Sequence, residues 1–202
     1  MNPKIPNSIF LDMDDTILAW SEQLMLYTAG HDDISGVTAQ YDPSKFGGSS
    51  VMDVAMIMAD PGFWGYLKFT SFGRKIIDLW REEKIGQDVI LLTATPPIFD
   101  VPQWLNDKIQ EVSSTSKRNF AEEYGLPIAI VSSHGSQEHW AKAKAILAGP
   151  DKIMVDDSPA MVSAFTKAGG QAILIPKPWN DATGDPIEIL QFMCEPIEGV
   201  DF

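Results

Sequence analysis

Five short apolar runs punctuate the chain, at residues 9–13, 89–92, 128–131, 153–155 and 172–175, each closed by turn-forming or polar residues. Runs of that length without polar alternation read as strands buried on both faces. The segments between the last four carry helical spacing. Strands alternating with helices specify a parallel sheet, because a parallel connection needs a crossover and the crossover helices cover the sheet faces. The expected fold class is therefore α/β: a Rossmann-like parallel sheet sandwiched by helices. In such a sheet ligands sit outside the carboxyl ends of the strands, so the residues that close each run carry the functional information.

One connection breaks the pattern. Residues 18–87 exceed what a crossover needs, and they hold Pro43, Gly47-Gly48, Pro61-Gly62 and the aromatics Phe46, Phe63, Trp64, Tyr66, Phe69 and Phe72. The expectation is a small, mostly helical cap inserted after the first strand, with residues 1–17 and 88–202 forming the core. A length of 202 residues suits one core plus such an insertion.

Charge narrows the partners. A net charge of −13 opposes a broad footprint on duplex nucleic acid, where Lys and Arg must neutralise phosphates. It leaves small anionic substrates open, since a metal ion and one or two local cations reverse the field inside a pocket. No apolar stretch approaches the roughly 20 residues that span a bilayer, and the start lacks a secretory pattern. A single cysteine, Cys194, provides no disulfide framework. The expected setting is soluble and cytoplasmic, with no membrane partner; oligomeric state is not legible.

The strand ends are polar where the runs are apolar. The first closes in Asp12-Met13-Asp14-Asp15-Thr16, the second in Thr93-Ala94-Thr95-Pro96, the fourth in Asp156-Asp157-Ser158-Pro159. Three aspartates within four positions repel one another and resist desolvation unless a cation sits among them. Residues two apart in an extended chain project from the same side, so Asp12 and Asp14 can share a crevice while Met13 packs away.

These residues resemble a known pattern. D-M-D-D-T at 12–16 is similar to the D-x-D-x-T first motif of the haloacid dehalogenase (HAD) superfamily; Thr93 or Thr95 resembles its second motif, and Asp156-Asp157 its acidic last motif. The third motif is a lysine ahead of the acidic pair, for which Lys144 and Lys142 are candidates. The spacing from Lys144 to the pair resembles the 5′(3′)-deoxyribonucleotidase-like branch and favours Lys144. The resemblance implies that Asp12 attacks phosphorus to give an aspartyl-phosphate, while Asp14 protonates the departing alkoxide and then activates water. It implies Mg²⁺ held by Asp12, the Asp14 carbonyl and one of Asp156 or Asp157. Thr93 and Lys144 would donate to the phosphoryl oxygens.

The substrate expected from this resemblance is a small phosphorylated molecule, in first place a (deoxy)nucleoside monophosphate. G-F-W at 62–64 is similar to the aromatic cap segment of deoxyribonucleotidases, so Phe63 and Trp64 are candidate stacking faces and Ala94 and Thr95 candidate substrate contacts; cap core is the other reading of the aromatics. A sugar phosphate, a nucleic-acid 3′-phosphate end and a non-catalytic binding module are the alternatives. Dehalogenation is disfavoured by Asp14. Phosphonatase chemistry would require a cap lysine, Lys45 or Lys68. His134 and His139 fit no metal spacing, and Cys194 is expected to be a small buried apolar residue.

Overall fold

A computed structural model describes residues 7–29, 50–85, 87–131 and 137–194. Pro43, Lys45, Phe46, Gly47, Gly48 and His134 therefore lie outside the described residues. The five apolar runs form the strands β1 (Ser8–Leu11), β2 (Asp88–Ala94), β3 (Ile128–Val131), β4 (Lys152–Asp156) and β5 (Gln171–Leu174), matching the expected bounds to within two residues. All four pairings are parallel, and the strands lie in the order β3-β2-β1-β4-β5. The chain thus builds outward from β1 to β3, then returns to the other side of β1 with β4. That reversal puts the topological switch point between β1 and β4.

Alternation along each strand sorts side chains between two layers of helices. Ile9 and Leu11 of β1, Val89 and Leu91 of β2, Ile153 and Val155 of β4 and Ile173 of β5 pack with α4 (Ser71–Arg81), the C-terminal half of α5 (Gln103–Tyr124) and α8 (Pro186–Cys194). Phe10, Leu92 and Met154 face the other way, against Trp140 and Ala141 of α6 (Gln137–Ala145) and Met161 and Phe165 of α7 (Pro159–Lys167). Each such aliphatic or aromatic burial contributes roughly 1.5–3 kcal/mol, which is what commits the strands to this register.

A third apolar cluster lies away from the sheet. Leu24 and Met25 of α1 (Trp20–Ala29), Val54, Ala55 and Met58 of α2 (Val51–Met58), and Phe63 and Trp64 of α3 (Pro61–Gly65) pack on Leu105, Ile109 and Val112 in the N-terminal half of α5. Local chemistry sets the ends of these helices. Ser50 and Asp53 form a reciprocal capping box on α2, Asp60 accepts from Gly62 N at the start of α3, and Thr70 accepts from Gly73 N on α4. The 22-residue α5, about 33 Å long at 1.5 Å per residue, joins the two bodies and stops at Gly125, whose φ of 67° a residue with a Cβ adopts only at a cost. No described helix is long and apolar enough to cross a membrane.

Candidate active site at the carboxyl edge of the sheet

Register brings the acidic strand ends together. Leu11 pairs with Val155, and Asp12 N donates to Val155 O at 2.9 Å, so Asp12 leaves β1 beside Asp156 at the end of β4. Carboxylate oxygens of Asp12, Asp156 and Asp157 lie within 4.8 Å of one another, and all three residues are buried. The strand alternation aims Asp12 and Asp156 at the layer containing α6, from which Lys144 reaches in. Its buried ammonium donates to Asp12 Oδ1 at 2.6 Å and to Asp156 Oδ2 at 2.7 Å. Lys142, two residues earlier, is exposed and pairs with Glu138 at 2.7 Å on the helix surface.

Electrostatics in this cluster are dominated by burial. Desolvation alone would lower the Lys144 pKa, yet Asp12 and Asp156 outweigh it and hold the ammonium above the usual lysine range. Burial pushes the Asp156 carboxyl up to about 6, Lys144 opposing and Asp12 adding to the rise. Asp157 is held well above the carboxylate range, by burial first and then by repulsion from Asp156, Asp12 and Asp15. One lysine therefore compensates only part of three buried carboxylates.

The loop after β5 secures the acidic pair, a role the sequence leaves unassigned. Trp179 Nε1 donates to Asp157 Oδ2 at 3.1 Å, and Asn180 Nδ2 bridges Asp157 O and Ile175 O, each at 2.9 Å. Ser158 N donates to Asp156 Oδ1 at 2.9 Å, fixing the first carboxylate from below α7.

Beyond Asp12 the chain closes a tight turn in which Ile17 N and Leu18 N both donate to Met13 O, at 3.0 and 2.8 Å. Asp15 takes a φ of 57°, a left-handed conformation that Asp tolerates better than most residues. Its carboxylate accepts from Ser21 N at 2.8 Å and from the Ser21 hydroxyl, capping α1 from outside. The third aspartate of the opening cluster is thus a structural group.

Asp14 has a partner that sequence reasoning missed. Lys117 of α5, buried, donates to Asp14 Oδ2 at 2.5 Å, to Thr93 Oγ1 at 2.9 Å and to Ala94 O at 2.6 Å, with its ammonium 5.6 Å from the Trp64 ring centre. Thr93 shares the strand face of Val89 and Leu91, the face that α5 covers, which is why a lysine from that helix reaches it. Burial raises the Asp14 pKa most, Lys117 opposes, and Asp12 adds to the rise. A signal was present in the sequence: Ile109, Ser113, Lys117 and Ala121 recur every four residues along the buried stripe of α5.

Other sequence candidates fall differently. Thr95 is buried at the end of β2, its N–H donating to Val131 O at 3.0 Å. The Ala94 carbonyl is taken up by Lys117 rather than left for a ligand. Phe63 requires a correction. It is 0% exposed, with Trp20, Tyr27 and Trp64 set edge-on around it, so no face remains on which a base can stack. Trp64 is also mostly buried, its Nε1 donating to Met58 O at 2.8 Å, yet it lines a cavity of about 450 Å³ together with Asp14, Lys117, Phe69, Phe120 and Tyr124. Lys68 and His139 are exposed. Cys194 is half-buried rather than buried, and desolvation pushes its thiol up to about 11.

The donor set fits a hard divalent cation. Three buried carboxylates converge with no sulfur or imidazole among them, the oxygen-only environment that Mg²⁺ takes in preference to softer metals. The Asp14 carboxylate is turned to Lys117 and is not one of the three converging carboxylates; the atom expected of Asp14 at a metal is its main-chain carbonyl.

No protein-family model and no curated protein matches the sequence. Among solved structures, a HAD-superfamily hydrolase of subfamily IA, variant 1, from Geobacter sulfurreducens superposes with a TM-score of 0.53 at 13% identity, over 95% of this chain and 98% of that one. Two haloacid dehalogenase-like family hydrolases superpose less closely. The one from Streptococcus pneumoniae gives 0.48 at 16% identity over 93% and 98% of the chains, and the one from Xanthomonas campestris 0.45 at 13% over 95% and 98%. The fold is the HAD-like α/β core.

Proposed function

We propose that this chain is a Mg²⁺-dependent phosphomonoesterase of the HAD superfamily, acting through an aspartyl-phosphate on Asp12. The observation that carries the reading is the meeting of Asp12 with Asp156, Asp157 and Lys144 at the switch point of the sheet. Lys144 occupies Asp12 Oδ1, and no described residue donates to Oδ2, the oxygen available to attack. In the first step Asp12 Oδ2 bonds to phosphorus, the ester P–O bond breaks, and Asp14 gives its proton to the departing oxygen. In the second, Asp14 takes a proton from water, whose oxygen bonds to phosphorus and returns Asp12 as a carboxylate with release of inorganic phosphate. The raised pKa of Asp14 suits the acid half of that cycle. Asp12, the Asp14 carbonyl and Asp156 or Asp157 would hold the metal, which when bound neutralises charge on the phosphoryl oxygens. Lys144 has a third N–H to offer the same oxygens once two are spent on Asp12 and Asp156.

The substrate class in this reading is a (deoxy)nucleoside monophosphate, in line with the deoxyribonucleotidase-like spacing of the motifs. The cavity beside Asp14, walled by Trp64, Phe69, Phe120 and Tyr124, suits a flat leaving group better than an extended sugar chain. Within 18–87 we assign the cap to α1–α3, which build their own core on α5, whereas α4 lies on the sheet. Nucleotides and sugar phosphates assayed with and without Mg²⁺, with Asp12→Asn as blank, test the reading. Mg²⁺-dependent release of phosphate from nucleotides, abolished in Asp12→Asn, is expected. Release from sugar phosphates alone overturns the substrate class, and no release from any ester leaves a binding module.

A further inference from the structure

We infer that Lys117 is a positioning residue that pins the carboxylate of Asp14 and presents its second oxygen to the leaving group; this rests on the phosphomonoesterase reading. An ammonium has three protons, and three acceptors surround Lys117 Nζ: Asp14 Oδ2 at 2.5 Å, Ala94 O at 2.6 Å and Thr93 Oγ1 at 2.9 Å. Its donors are spent, so it has none for a phosphoryl oxygen. The contrast with Lys144, which keeps one, divides the labour between the two buried lysines.

The contacts also tie three parts of the fold together. Asp14 belongs to the turn after β1, Thr93 and Ala94 to the end of β2, and Lys117 to α5, so the carboxylate is referenced to the rigid sheet through the lysine. With Oδ2 held, Asp14 Oδ1 is left buried and without a partner among the described residues. A buried carboxylate oxygen with no donor is costly unless a ligand completes it. Asp14 and Lys117 both border the cavity that Trp64, Phe69, Phe120 and Tyr124 enclose, the space a leaving group would fill. A stabilising role alone explains the lysine poorly, because a buried ion pair seldom outperforms an apolar residue of similar volume.

The test compares two esters of similar shape, phenyl phosphate and 4-nitrophenyl phosphate. The nitrophenolate departs readily without a proton, so loss of the acid penalises phenyl phosphate more. We expect Lys117→Met to lower kcat/KM for phenyl phosphate by about tenfold more than for 4-nitrophenyl phosphate, the pattern of Asp14→Asn, with no further selective loss in the Asp14→Asn/Lys117→Met double variant. Lys117→Gln carries the same comparison if Lys117→Met does not fold. Equal losses on both esters, no loss, or a selective loss that adds to that of Asp14→Asn would overturn the inference while leaving the phosphatase reading intact. A wild-type protein that turns over neither of these esters, and releases no phosphate from the nucleotides and sugar phosphates either, overturns the reading and the inference with it.

Discussion

At the scale of the residue, the acidic cluster divides into groups whose protonation does different things. Asp15 is buried and its carboxyl is pushed up to about 6, desolvation leading and the two Ser21 contacts opposing. Between the ordinary 3.8 and about 6 the folded chain keeps a proton that the unfolded chain has released. Stability therefore falls as pH rises through that window and levels off above it, by on the order of 3 kcal/mol for a shift of about two units. Asp15→Asn keeps an acceptor for Ser21 N and tolerates the positive φ without the buried charge. Thermal melts without Mg²⁺ should show it more stable than wild type at pH 8 and with a shallower slope between pH 4 and 6; Asp15→Ala should lose about 1–2 kcal/mol at both ends. Asp156 and Asp157, one or other of which would hold the metal in the proposed reading, differ from Asp15 in this respect. Whichever serves must ionise to bind it, and both titrate high, Asp156 at about 6. Calorimetry should find Mg²⁺ bound at least about tenfold more weakly at pH 5 than at pH 8, with proton release on binding. Residues such as Phe63 show where sequence runs out: a stacking face and a core filler both call for an aromatic, and only the ring of neighbours decides between them.

Among the elements, α4 and α5 control the turn that carries Asp14. Gly73 of α4 lies against the backbone of that turn, where a Cβ would stand 2.1 Å from Ile17 O, the same carbonyl that accepts from Thr70 N at 2.9 Å. Gly73→Ala must push the helix off the turn, so a loss of about 2–4 kcal/mol in denaturant unfolding is expected, together with a fall in kcat. A glycine inside a helical pattern reads in sequence only as a mild penalty; the close approach behind it is tertiary. The same limit applied to Lys117, since a lysine on the buried stripe of a helix looks like an error in the apolar pattern until its three acceptors are seen. The strands were legible for the opposite reason. An apolar run of three to five residues buries both faces wherever it sits in a parallel sheet, so Ile9 and Phe10 or Ile153 and Met154 needed no knowledge of their neighbours to be placed.

For the whole molecule, the account makes the metal part of the stability of the fold. Three buried carboxylates share one ammonium in the cluster, so a divalent cation that binds only the folded chain should raise Tm, by the equivalent of about 2.7 kcal/mol at one hundred times its dissociation constant. Asp157→Asn should bind Mg²⁺ more weakly and forfeit most of that gain. The carboxyl ends of β1 and β4 could be named from the sequence because motif and strand end coincide there. The role of the loop Pro176-Lys177-Pro178-Trp179-Asn180, which resembles the proline-and-asparagine loop after the last strand of the deoxyribonucleotidase-like branch, could not, since its hydrogen bonds to Asp157 depend on a return from β5 that no local pattern encodes. Everything rests on Asp12 as the atom donor to phosphorus. Acid quenching of the protein during turnover with Mg²⁺ and a phosphomonoester, followed by mass mapping of the peptides, tests that most directly. The account predicts a phosphoryl group on Asp12 and neither adduct nor turnover in Asp12→Asn; turnover by Asp12→Asn at the wild-type rate, or a phosphoryl group on another residue, would contradict it.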